Sequence, residues 1–103
     1  MPLQSLKLVT VVAEEILKER LCKKGMQLGA TGFTCFGVEG DGSRGVRDEH
    51  VQGMNVQIEF VCDESVAMSI LNYVAEHFFE NFAIIAWISD VTVIRGKHYL
   101  KQA

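Results

Sequence analysis

The densest run of groups able to do chemistry is Gly40-Asp41-Gly42-Ser43-Arg44-Gly45-Val46-Arg47. Glycines at 40, 42 and 45 let the backbone turn through positive φ and bring N–H groups close to an anion. Ser43 adds a hydroxyl, and Arg44 and Arg47 add planar donors that match phosphate oxygens. The chain holds only ten basic residues, so two arginines three apart beside these glycines point to an anion site. The plain alternative is a solvated hairpin tip. The run is not a Walker loop, because Gly-x-x-x-x-Gly-Lys-Ser/Thr occurs nowhere in the sequence. Nor does it open a helix, so binding rests on side-chain charge and local backbone donors rather than on a helix dipole.

Other candidates are weaker. His50, His77 and His98 are scattered without a partner at metal spacing. Asp48, Glu49 and His50 are neighbours, and three adjacent polar residues in a loop are more often solvated than an acid–base cluster. Ser43 has no convincing base in sequence, although distance in sequence does not exclude one in space. Cys22, Cys35 and Cys62 are odd in number and widely spaced, which fits core thiols in a reducing cytoplasm rather than a disulfide framework. The net charge of −3 argues against a general nucleic-acid binder. No apolar stretch reaches the length needed to insert across a bilayer.

The elements that must position the loop follow from periodicity. At 103 residues, 49% of them hydrophobic, the chain makes a single domain, residues 1–103. Leu6 to Ala13 reads as a buried strand. Glu14 opens a helical segment with Ile16, Leu17, Leu21 and Leu28 on one face, ended by Gly29 in a left-handed position. Phe33 to Glu39 is a second strand, and Met54, Val56, Ile58, Phe60 and Cys62 in alternation with Asn55, Gln57 and Glu59 mark a third. Asp63 is the N-cap of a second helix striped by Val66, Ala67, Ile70, Leu71, Val74 and Phe78. Phe82 to Ile94 is the last strand. The order β-α-β-β-α-β predicts an α+β, ferredoxin-like sandwich: a four-stranded antiparallel sheet with two helices on one face. Val9, Val11, Phe36, Val38, Trp87 and Val91 put apolar groups on both faces of that sheet. The uncovered face needs a partner, and symmetric self-association supplies one. Residues 40–53, between the second and third strands, are far more than a hairpin requires.

Several segments carry a family resemblance. Gly32-Phe33-Thr34 and Val38-Glu39-Gly40-Asp41-Gly42 look like the second strand and loop start of PII signalling proteins. Ile58-Glu59-Phe60-Val61 and Asp90-Val91-Thr92-Val93-Ile94-Arg95 resemble their third strand and the end of their fourth. The octapeptide from Gly40 to Arg47 is similar to the Gly-x-Gly-Ser-Arg-x-Val-Arg signature of bicarbonate-linked PII-like proteins. The resemblance runs over essentially the whole chain, with the octapeptide its specific part.

That resemblance implies a cytoplasmic homotrimer with nucleotide sites in the clefts between subunits. Gly40, Gly42, Ser43, Arg44 and Arg47 would approach the phosphates from one subunit and Arg95 from its neighbour. Ala83 and Ile84 match the backbone segment that receives adenine, and Thr34 a position near base or ribose. The ligands implied are ADP or AMP and bicarbonate, with no catalytic cofactor and no metal. The partner implied is a bicarbonate transporter or a carboxysome component. Phe79-Glu80-Asn81-Phe82-Ala83-Ile84 replaces the Gly-Asp-Gly-Lys-type segment of classical members, and the loop lacks their modified tyrosine. Magnesium-ATP with 2-oxoglutarate is therefore not the expected ligand pair. Two other readings stand beside this one: a small phosphate-ester hydrolase using the Gly-Ser-Arg loop, and a ligand-free structural trimer of the same fold.

Overall fold

The computed structural model describes residues 1–40 and 54–100. Strand β1 runs Leu3–Glu14, helix α1 Lys18–Gln27, β2 Thr34–Val38, β3 Asn55–Cys62, α2 Glu64–Phe78 and β4 Ile84–Ile94. The strands form one antiparallel sheet in the order β2-β3-β1-β4. This is the ferredoxin-like arrangement expected from the sequence. Register assigns the faces, because residues directly opposite one another share a side of the sheet. Val9 pairs with Phe60 and Ile88, and Val11 with Ile58 and Ala86. The side chains of Val9, Val11, Ile58 and Phe60 are fully buried beneath Val66, Ala67, Ile70, Val74 and Phe78 of α2. Gly25 lets α1 lie close to the sheet: a Cβ there would sit 2.3 Å from the Phe60 ring. The helices are tied to each other by Arg20, 4.8 Å over the Phe78 ring, and by Lys24, 5.3 Å over Tyr73.

The opposite face carries no helix. Phe36, Gln57, Val12 and Ile85 form one cross-strand row on it, and Thr34, Glu59, Thr10 and Trp87 the next. Phe36, Ile85 and Trp87 are all exposed. The apolar second face expected from the sequence is present. Asp63 caps α2 as expected, its carboxylate accepting from the Val66 N–H at 2.9 Å, and Gly29 takes φ 124 after α1.

Some boundaries differ from expectation. β1 begins at Leu3 and continues through Glu14, where the sequence pattern predicts the start of a helix. A 3-10 turn, Glu15–Leu17, intervenes before α1. Its tighter winding shifts the phase, so Leu17 is buried while Ile16 is 82% exposed rather than sharing the core stripe. β2 is shorter than Phe33 to Glu39, and β4 starts at Ile84 rather than Phe82. The segment 41–53 between β2 and β3 lies outside the described residues.

Candidate functional site

Thr34 and Arg95, 61 residues apart in sequence by subtraction, meet in one cleft of about 550 Å³. Leu8, Glu59 and Val61 line it as well, and register puts all three on the helix-free face. Thr34 opens β2 directly opposite Glu59 of β3, so a hydroxyl and a carboxylate stand side by side. The Glu59 carboxylate accepts from the Gln57 amide at 3.2 Å.

The basic wall comes from the end of β4. Arg95 takes φ 63 and ψ 32, the left-handed region, and is the non-glycine residue among those described with positive φ. Such a conformation is uncommon without glycine. It turns the chain into the 3-10 segment Gly96–Tyr99, which packs against β1. Gly96 is buried there, and a Cβ on it would lie 2.6 Å from the Gln4 Cβ. The turn therefore needs glycine for space. Closing it, the His98 N–H donates to the Arg95 carbonyl at 3.1 Å, and the Arg95 guanidinium donates to His98 Nε2 at 2.7 Å. The cleft thus offers a guanidinium for an anion on one side and a hydroxyl–carboxylate pair for donor groups on the other.

The remaining expected residues lie elsewhere. Gly40 follows β2, while Ala83 precedes β4 and Ile84 opens it, at the end of the sheet where Glu14 and Asn55 pair. The Ala83 N–H donates to the Glu14 carboxylate at 2.9 Å. Ile84 pairs with Ala13 and packs its side chain on the core. Gly42, Ser43, Arg44 and Arg47 lie outside the described residues. Ala83 and Arg95 flank the 11 residues of β4, roughly 35–40 Å of extended chain at ~3.3 Å per residue. That is far longer than a mononucleotide. Within one chain, Thr34 and Arg95 come together, while Gly40, Ala83 and Ile84 lie toward the other end of the sheet, Gly40 beside one edge strand and Ala83 and Ile84 at the other.

A family model for nitrogen regulatory protein P-II matches residues 6–98. The chain belongs to the nitrogen regulatory protein P-II family. This P-II protein is similar to a chain from Thermus thermophilus described as a PII-like signalling protein, at 42% identity and a TM-score of 0.84. The match covers 96% of this chain and 99% of that one. It is also similar in fold to CPII, a nitrogen regulatory PII-like protein from Thiomonas intermedia K12 solved with ADP, AMP and bicarbonate. There the TM-score is 0.82 at 22% identity, over 97% of this chain and 98% of CPII. A second CPII structure, bound to ADP, AMP and acetate, gives 0.84 at 20% identity, over 98% and 100% of the two chains.

Two cleft residues of this P-II protein escaped sequence reasoning. Glu59 reads as the polar half of an alternating strand, and only the β2–β3 register sets it against Thr34. His98 reads as an isolated histidine; the signal available was its spacing of three from Arg95. Among the described residues no cluster of metal-ligating side chains occurs, and no helix is long and apolar enough to cross a membrane. The cysteines are free. Burial pushes the Cys22 thiol up to about 11, with Cys35 beside it adding to the shift. Burial likewise pushes Cys62 up to about 11, helped by Asp63. Neither is a nucleophile near neutral pH. Lys7, on the helix face, pairs with Asp90, and that hydrogen bond raises the ammonium above its ordinary pKa.

Proposed function

We propose that this P-II protein is a homotrimeric sensor in the cytoplasm, binding ADP or AMP together with bicarbonate in clefts between subunits. One relationship carries the reading. Arg95 and Thr34 line a cleft on a face no helix covers, while Gly40, Ala83 and Ile84 sit at the far end of the sheet. Residues a strand-length apart serve one small ligand only when the Arg95 end of one copy meets the Ala83 end of another. The exposed Phe36, Ile85 and Trp87 are the apolar surface such an assembly buries. Arg44 and Arg47 would complete the phosphate site with Gly42 and Ser43. The CPII structures, with ADP, AMP and bicarbonate bound to the same fold, support the choice of ligands. The protein acts by binding, not by catalysis. Ligand binding at residues 40–53 exposes or hides a surface for its target, a bicarbonate transporter or a carboxysome component.

Calorimetry tests this with ADP, AMP and adenosine, with and without bicarbonate at constant pH and ionic strength. ADP binding is expected to tighten as bicarbonate rises, because a ligand that orders part of a glycine-rich segment lowers the cost for the next. Arg44→Ala and Arg47→Ala are each expected to weaken ADP at least ~10-fold, since a charge-assisted hydrogen bond contributes about 1.5–3 kcal/mol and ~1.4 kcal/mol is tenfold. Adenosine is expected to lose far less. Unchanged ADP affinity in both variants removes the loop from the phosphate site. Sustained phosphate release from ATP would replace the sensor with a hydrolase, and light scattering showing a monomer at micromolar concentration would overturn the shared sites.

A further inference from the structure

His98 sits on the guanidinium of Arg95, and chemistry fixes the sense of that contact. A guanidinium has five N–H donors and no acceptor. At 2.7 Å from Nη2, the His98 Nε2 must therefore accept, which leaves the ring proton on Nδ1. The contact is built by the turn itself: positive φ at Arg95, a buried Gly96 against Gln4, and the His98 N–H on the Arg95 carbonyl. Both side chains line the cleft with Thr34 and Glu59.

We infer that His98 is a positioning residue: it holds the Arg95 guanidinium in place to receive the phosphate of a nucleotide. This rests on the proposed nucleotide site. An arginine loses much rotamer freedom when fixed, and in this cleft it has a competitor. Glu59 supplies a carboxylate to the same cleft, and a free guanidinium would turn toward it. Among the described residues Arg95 makes no ion pair, and its partner is the imidazole. One of its five donors goes to His98, so the others stay available for phosphate oxygens.

Calorimetry with ADP, adenosine and inorganic phosphate on single and paired variants tests this. His98→Ala is expected to weaken ADP about tenfold, as loss of one hydrogen bond from a charged guanidinium implies, and to leave adenosine within about twofold. His98→Gln, whose amide oxygen still accepts from Arg95, is expected to restore most of the ADP affinity. Arg95→Ala is expected to weaken ADP more than His98→Ala, and adding His98→Ala to it to cost nothing further. Gly96→Ala, which pushes the turn off Gln4, is expected to mimic His98→Ala. Melting curves check that each variant is folded. If Arg95→Ala weakens ADP and His98→Ala does not, the positioning role is overturned and the nucleotide site stands. Equal losses in His98→Ala and His98→Gln would make the imidazole a direct ligand contact, which also overturns it. If Arg95→Ala leaves ADP untouched, the assignment of Arg95 to the phosphate falls, and the role of His98 with it. A parallel loss for inorganic phosphate assigns the effect to the phosphate group itself, while an effect on adenosine alone would contradict the proposal.

Discussion

The carboxylate of Glu14 accepts the backbone N–H of Ala83 at 2.9 Å, joining the last residue of β1 to the segment just before β4. Glu14 is also where the strand persists although the sequence pattern predicts helix. With its side chain on Ala83 and its backbone paired to Asn55, it is held extended from both sides. Glu14→Ala is expected to lower stability by about 1–2 kcal/mol, the range for a partly exposed hydrogen bond to a charged group. Glu14→Gln, which still presents an acceptor, is expected to lose less. Urea titration of the three proteins measures the difference, and equal losses in both variants would point to packing instead.

Gly25→Ala sets two effects of opposite sign against each other. In an exposed helix the change would stabilise by ~1 kcal/mol. Here the new Cβ would meet Phe60 ring carbons at 2.3 and 2.4 Å, and Phe60 is buried in the core. Overpacking of a core costs about 1–3 kcal/mol, so sterics are expected to win and the melting temperature to fall. A rise would mean α1 can slide on the sheet without cost.

Asp63→Ala removes the side chain that caps the Val66 N–H. A loss of ~1 kcal/mol is expected, and Asp63→Asn should restore most of it. Thermal melts of the two variants against the parent decide the matter.

The two buried thiols make stability depend on alkaline pH. Cys22 and Cys62 hold their protons to about 11 in the fold, against a reference of 9.0. Between those values the unfolded chain releases protons that the folded chain keeps, so stability falls as pH climbs from about 9 to about 11. Denaturation midpoints across that window are expected to drop, and Cys62→Ala to flatten the slope. At pH 7.5, alkylation followed by peptide mapping should modify the half-buried Cys35 before either.

Much of this fold is written in local pattern. The alternation from Asn55 to Cys62 appears unchanged as alternating burial, and Asp63 and Gly29 take the positions their chemistry favours. The cleft is less legible because it depends on register and on one unusual dihedral. Thr34 meets Glu59 only through the β2–β3 pairing, and residues 41–53 are too many for turn type to set that register. Arg95 meets His98 only because a non-glycine residue adopts positive φ, which no residue preference announces. Ile16 leaves its expected place for a related reason: a single 3-10 turn changes the angle per residue and carries one apolar side chain out of the stripe.

The placement of Arg95 and Ala83 at opposite ends of β4 bears on inheritance as well as on binding. In the proposed trimer each contact around the threefold axis would join the Arg95 end of one copy to the Ala83 end of the next, a head-to-tail arrangement. There a chain damaged only at Arg95 would still lend a sound Ala83 end to its neighbour, and the reverse would hold for a chain damaged at Ala83. Two such alleles, each inactive alone, would rebuild some intact sites when made in one cell. The same chains would spoil sites when mixed with an undamaged copy. In the proposed trimer, complementation and partial dominance would both follow from an 11-residue strand set between the two halves of a shared site.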